Sequence, residues 1–313
     1  ETGMVLAEEN ADVQRAPASM VKLMVMLLVL EGKEAGKWNL EQTITVSQHA
    51  QSMGGSQVNL AMNEQWPLNT LMLCIAVASA NDAAVAVAEG LWGSKEKCVE
   101  AMNERAKALG MTNTTFRSVH GLPPSKGQEP DVTTARDMAV LGRECAKHDA
   151  IFNWTSMKEF QLRPNEYPHP STNKLMRSMP DCDGLKTGFI RLAGFCITAT
   201  AKRNDVRLIA VVMGDDNKYE RFKLAQQLLD EGFKKVTRVK AVSKGDTVGD
   251  PVPVENCMTP QVKLVAADDL YVVVKTDDAA KVQVVADRPA KLTPPLTPGT
   301  VVGEFRVQIE ANV

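Results

Sequence analysis

From Met20 to Leu30 every position is apolar except Lys22, and Glu31-Gly32 closes the run. A run of this length with no polar stripe predicts a helix buried on all sides, with Ser19 at its N-terminus and Gly32 as its stop. At about 1.5 Å per residue it is only some 20 Å long, too short to cross a bilayer. Leu68 to Ala78 and Asp82 to Trp92 predict two more apolar helices. Ser79-Ala80-Asn81 connects them, and Asn81 or Asp82 caps the second. Residues 94–104 mix charge and apolarity at helical spacing and predict an amphipathic helix. The rhythm then changes. Residues 184–190, 195–201 and 206–213 read as three strands of an antiparallel meander, with turns at 191–194 and 202–205. Beyond about Val239 only short strands are expected, at residues 262–265, 270–274, 281–285 and 304–310, the last strictly alternating. The pattern predicts an α/β (α+β) chain: a domain over residues 1–236 with an antiparallel sheet flanked by helices, then a small all-β domain over 237–313.

The polar exceptions to these patterns carry the candidate chemistry. Lys22 lies one turn beyond Ser19 on the same helical face, so its amine reaches the hydroxyl. Burial favours the neutral amine, the only form able to take a proton from Ser19. The helix start also offers free N–H groups to a developing oxyanion. Ser-x-x-Lys recurs at Ser94/Lys97 and Ser171/Lys174. Lys97 falls on a charged amphipathic helix, where it is solvated and protonated, and no long apolar helix follows Ser171. Context therefore selects Ser19 as nucleophile and Lys22 as its base. In the connector, Ser79 is placed to relay a proton and Asn81 to bond a substrate amide. Lys186-Thr187-Gly188 occurs once and falls on a strand, where Lys186 and Thr187 suit an anionic terminus. Gly188 is expected to clear space for a substrate along the strand edge.

Together, Ser19-Met20-Val21-Lys22, Ser79-Ala80-Asn81 and Lys186-Thr187-Gly188 are the motif set of penicillin-binding proteins and serine β-lactamases. Further blocks narrow the resemblance: Val5 to Asp12, Arg15 to Met24, Asn81-Asp82-Ala83-Ala84, Leu109 to Phe116, His120-Gly121-Leu122 and Thr134 to Met138. Over roughly residues 1–235 the chain resembles the D-alanyl-D-alanine carboxypeptidases, the low-molecular-weight penicillin-binding proteins. The resemblance implies a D,D-peptidase fold in which Ser19 is acylated, Lys22 is general base, and Ser79 and Asn81 form the relay and amide-binding pair. It implies that Lys186, Thr187 and Gly188 receive the peptide terminus and that Arg221 helps fix the D-alanine carboxylate. The backbone N–H groups of Ser19 and Phe189 would form the oxyanion hole, and His120 matches a position near the site. The substrate implied is a peptidoglycan stem peptide, with β-lactams as covalent inhibitors and no cofactor. In one departure, Phe189-Ile190 follows the glycine where relatives commonly carry a polar or aromatic residue and then threonine.

Composition removes other classes. The chain has 313 residues, 44% of them apolar, enough for a sizeable core. A net charge of −2 argues against nucleic-acid binding, and His49, His120, His148 and His169 show no metal-ligand spacing. The six cysteines predict no particular disulfide. None of the glutamates between the second and third motifs has asparagine four residues on, which speaks against a class A β-lactamase. Intact motifs speak against a non-catalytic wall-binding scaffold. Residues 1–8 read as the turn and returning strand of a hairpin. The implied substrate leads us to expect an exported protein, periplasmic or at the outer face of the cytoplasmic membrane. Relatives often end in an amphipathic helix lying on the membrane; no such helix is read here, so any membrane-surface association would come through a segment not in this chain, or the anchor is absent altogether.

Overall fold

The computed structural model describes residues 2–256, 258 and 260–309. Contacts divide the chain into two compact units, Glu1–Arg203 with Arg207–Glu231, and Asn204–Val206 with Gly232–Val313.

In the first unit the apolar run forms a buried helix, Lys22–Glu34, preceded by a 3-10 turn, Ala18–Val21. Ser19 therefore sits within that turn rather than capping the helix. Gly32 does not end the helix, which runs on to Glu34. A Cβ at Gly32 would lie 2.0 Å from the Trp38 ring, so the glycine serves close packing. Leu68–Val77 and Asn81–Trp92 form the two expected helices, and Ser94 caps Lys95–Ala108 by accepting the Lys97 N–H. Neither Asn81 nor Asp82 is a cap. The cap position is Ala80; Asn81 is drawn to Lys22 and Gly54, while Asp82 accepts the Ala83 N–H of the first turn as well as those of Val58 and Leu60. Residues 2–7 form no strand, in contrast to the expected hairpin.

The meander is present as Cys182–Ile190, Gly194–Arg203 and Val206–Asp215, in that spatial order. The first two are antiparallel, with Lys186 opposite Thr198, Gly188 opposite Cys196 and Phe189 opposite Phe195. Asn204 and Asp205 both have positive φ, the conformation that lets a two-residue turn follow the strand twist. Among the described residues Cys182–Ile190 is an edge strand, paired with another strand on one side only. The core joins the central helix to the sheet and surrounding helices, and includes Met20, Leu23, Leu27, Leu71, Val85, Leu141, Leu185 and Cys196.

Among the described residues the second unit is all-β apart from the end of helix Glu220–Lys235, which leads into it, and one 3-10 segment. Val236–Val242 pairs with Leu270–Lys275, Val282–Asp287 with Glu304–Ile309, and Val252–Pro253 with Gln261–Val262. Side chains alternate in burial along Val282–Asp287, so period two selects the inner face. Val252, Val254 and Leu292 form a small core against Val262, Leu264, Leu296 and Val302. Glu310, at the end of the expected last strand, and Cys257 lie outside the described residues.

Candidate active site

The 3-10 turn that carries Ser19 is held between two glycines. A Cβ at Gly121, whose φ is +79°, would fall 2.1 Å from the Ala18 carbonyl oxygen. A Cβ at Gly188 would fall 2.6 Å from the Pro17 carbonyl oxygen. Gly188 therefore brings the edge strand against the Ser19 turn. This corrects the expectation that it clears space for substrate. Ala18 and Ser79, next to the nucleophile and in the second motif, both have positive φ, at 50° and 62°. Such conformations cost a non-glycine residue about 1–3 kcal/mol and persist only where surrounding packing enforces them.

Lys22 is fully buried. Its Nζ lies 3.0 Å from Ser19 Oγ, 2.7 Å from Asn81 Oδ1 and 2.8 Å from the His120 carbonyl oxygen. The Asn81 amide is oriented by donating from Nδ2 to the Gly54 carbonyl at 2.7 Å, which turns Oδ1 toward the lysine. Two of the three neighbours of Nζ are thus pure acceptors. A neutral amine has two N–H bonds and one lone pair; with both hydrogens donated to Asn81 and His120, the lone pair faces Ser19. Burial, and then the Lys186 charge, hold Lys22 well below the usual lysine range, opposed by Asp131 and Asp82.

On the other side, buried Lys186 donates to Ser79 Oγ at 2.8 Å and to the Thr187 carbonyl at 3.0 Å. Thr187 Oγ1 donates to Thr172 Oγ1 at 2.8 Å. Burial, with Arg221 adding to it, lowers Lys186 to about 7. Arg221 is nine-tenths buried, and its Nη1 donates to the Gly188 and Cys196 carbonyls at 3.0 and 3.1 Å, bridging the first two strands. Its guanidinium also lies over Phe195, on which the half-exposed Phe189 stacks with ring centroids 4.2 Å apart. Ser19, Lys22, Ser79, Asn81, Lys186 and Thr187 thus converge. Gly188 and Arg221 shape the strand between them, and the Phe189 side chain faces outward.

Three contributors escaped the sequence reading. The His120 carbonyl binds Lys22, yet a backbone oxygen has no residue signature. Its ring is not the participant: burial lowers it to about 3, and Nδ1 accepts the Leu122 N–H. Asp82 accepts the N–H groups of Val58 and Leu60, pinning the loop that supplies Gly54. Asp131 is buried under the His120 loop.

A family model described as D-alanyl-D-alanine carboxypeptidase matches residues 1–217. The chain belongs to that family. A second, described as penicillin-binding protein 5, C-terminal domain, matches residues 237–313. This D-alanyl-D-alanine carboxypeptidase family member is 38% identical over 251 residues to the carboxypeptidase DacF of Bacillus subtilis, covering 79% of the present chain and 64% of that one. It therefore spans less than two thirds of that relative. The crystal structure of a peptidoglycan synthesis regulatory factor (PBP3) from Streptococcus pneumoniae matches at TM-score 0.85 and 27% identity, over 100% of this chain and 90% of that one. Penicillin-binding protein D2 of Listeria monocytogenes, in its cefotaxime-bound form, matches at TM-score 0.66 and 31% identity, over 74% and 92%. The expected fold of helices around an antiparallel sheet, followed by a β-domain, is the fold observed.

The family member's buried Lys186 has a consequence for stability. Its folded value of about 7 lies below the 10.5 of a free lysine, so between these limits the unfolded chain binds more protons. The contribution of Lys186 to stability is then fully present above pH 10.5 and is lost as pH falls to about 7. Thermal unfolding of Lys186→Met beside wild type should show the wild type gaining on the variant from about pH 7 to about pH 10. A constant gap would mean that Lys186 folds as a charged residue.

Proposed function

We propose that this chain is a serine-type D-Ala-D-Ala carboxypeptidase that trims peptidoglycan stem peptides through an acyl-enzyme. The observation that carries this reading is the pair of acceptors, Asn81 Oδ1 and His120 O, which use both hydrogens of a neutral Lys22 and leave its lone pair for Ser19. Ser19 Oγ attacks the carbonyl carbon of the penultimate D-alanine, and its proton passes to Lys22. The oxyanion is received by the backbone N–H groups of Ser19 and Phe189; losing one such donor typically costs about 10²–10³-fold in rate. The C–N bond breaks, and terminal D-alanine leaves as an amine after taking a proton through Lys22 or Ser79. Water then cleaves the Ser19 ester, releasing the shortened peptide and restoring the hydroxyl.

Lys186 and Thr187 receive the terminal carboxylate. A carboxylate arriving beside Lys186 favours its charged form, so substrate itself completes the cation. Arg221 adds positive potential from beneath the strand, Gly188 keeps that strand against the Ser19 turn, and Asn81 bonds the substrate amide. β-Lactams acylate Ser19 in place of substrate, a reading supported by the cefotaxime-bound Listeria relative. We place the catalytic domain at residues 1–236 and the β-domain at 237–313, in an exported protein working in the periplasm or at the outer face of the cytoplasmic membrane. The decisive measurement is release of D-alanine from a synthetic stem pentapeptide, with mass spectrometry of the β-lactam-treated protein. Stoichiometric D-alanine and a β-lactam adduct on the Ser19 peptide are expected. A folded protein that yields neither refutes the reading.

A further inference from the structure

Beneath the His120 loop lies a short polar chain that the reaction as described does not use. Asp131 is buried, and its Oδ1 accepts the N–H groups of Arg117 and Ser118 at 2.6 and 2.9 Å. Its Oδ2 accepts the Ser118 hydroxyl at 2.7 Å. Ser118 Oγ in turn accepts the Gly121 N–H at 2.8 Å. Every contact to Asp131 comes from a donor, which favours the carboxylate; burial acts the other way and raises the Asp131 carboxyl above its ordinary value, against the hydrogen bonds from Arg117 and Ser118 that lower it. The direction of the Ser118 hydroxyl is also fixed: its oxygen receives Gly121, so its hydrogen goes to Asp131. His120 lies between Ser118 and Gly121, and its carbonyl is 2.8 Å from Lys22 Nζ and 3.4 Å from Ser19 Oγ.

We infer that Asp131 is a positioning residue for Lys22: through Ser118 and Gly121 it fixes the His120 carbonyl, and through its own charge it biases the amine. The inference rests on the proposed role of Lys22 as base toward Ser19. The loop needs such a tie because the carbonyl must point inward while Gly121, at φ +79°, reverses the chain against Ala18. A buried carboxylate that collects two backbone N–H groups and a hydroxyl holds such a bend more firmly than neutral acceptors, since charge-assisted hydrogen bonds are roughly twice as strong. Around Lys22 the other charges are Lys186, which opposes protonation, and Asp82, which favours it, while His120 is neutral. Arg117, whose partners are Glu129 and the Pro130 carbonyl, is the cation acting on Asp131.

Two variants separate the two routes. Asp131→Asn keeps the size of the side chain: its oxygen can accept both backbone N–H groups and its NH₂ can donate to Ser118 Oγ, but the charge is gone. Acylation needs neutral Lys22 and so falls as pH drops through the Lys22 value. Removing a nearby negative charge lowers that value and moves the acid limb to lower pH, by about half a unit or more. Ser118→Ala keeps the charge but cuts the tie to Gly121, and should slow acylation by roughly tenfold at every pH with the limb in place. The readout is the rate of covalent labelling of full-length protein by a fluorescent penicillin from about pH 5 to about pH 10, with thermal unfolding to verify folding. A wild type that does not label fails the proposed function itself. A wild type that labels, beside folded variants with unmoved limb and unchanged rate, overturns the role of Asp131. If Asp131→Asn does not fold, Ser118→Ala alone decides: a wild-type rate in that variant rejects the positioning chain.

Discussion

Ser19→Ala and Lys22→Met will each lower D-alanine release by roughly 10³-fold or more, and the double variant will be no worse than either single one. The reason is that the two side chains perform one step. Without the hydroxyl there is no bond to form, and without the amine the hydroxyl keeps its proton. Stability should separate from activity in Lys22→Met. Methionine fills much of the same buried space and removes the cost of burying an amine, but leaves Asn81 Oδ1 and the His120 carbonyl without that donor. An unsatisfied buried acceptor costs about 1–3 kcal/mol, so the two effects oppose each other. Steady-state release of D-alanine, measured beside thermal unfolding, checks both halves. Multiplying losses in the double variant would show that Ser19 and Lys22 act independently.

The second large effect is expected at a residue that touches no substrate. Gly121→Val should destabilise the protein by several kcal/mol and abolish acylation. Its Cβ would enter the Ala18 carbonyl, and valine at φ +79° is strained whatever the space. The smaller Gly121→Ala should fold with a lowered midpoint, roughly 2–4 °C for each kcal/mol lost in a unit of this size, and label at least about tenfold more slowly with penicillin. Wild-type labelling by Gly121→Ala would mean that the Ser19 turn tolerates displacement.

These two positions mark what was legible in the sequence. Lys22 announced itself as the one charge in a long apolar run, because burial on all sides leaves a lysine no route to water. The meander was legible for a similar reason, since its apolar residues and turn signals agree locally. The Ser19 turn was not. A helix N-terminus and a 3-10 turn leading into a helix draw on the same residues, and what distinguishes them here is the packing of Gly121 and Gly188 from remote segments. Local habit makes Gly32 a stop and Gly188 a space for substrate. Both instead admit a neighbour, the Trp38 ring and the Pro17 carbonyl. Asn81 obeys the same rule: local preference suggests capping, but Lys22 and Gly54 take its side chain, while Asp82 keeps one local partner, the Ala83 N–H, and adds Val58 and Leu60. The His120 carbonyl lay beyond any reading of side chains.

The two glycine contacts on either side of Ala18–Val21 also bear on the acyl-enzyme itself. A turn with backbone close against both faces has little room to recoil when Ser19 acquires an acyl group. Any rise in melting temperature on β-lactam binding must then come from the contacts of the ligand along the strand, and not from quieting the serine. A ligand cut down to its reactive ring should acylate the protein while scarcely altering its heat resistance.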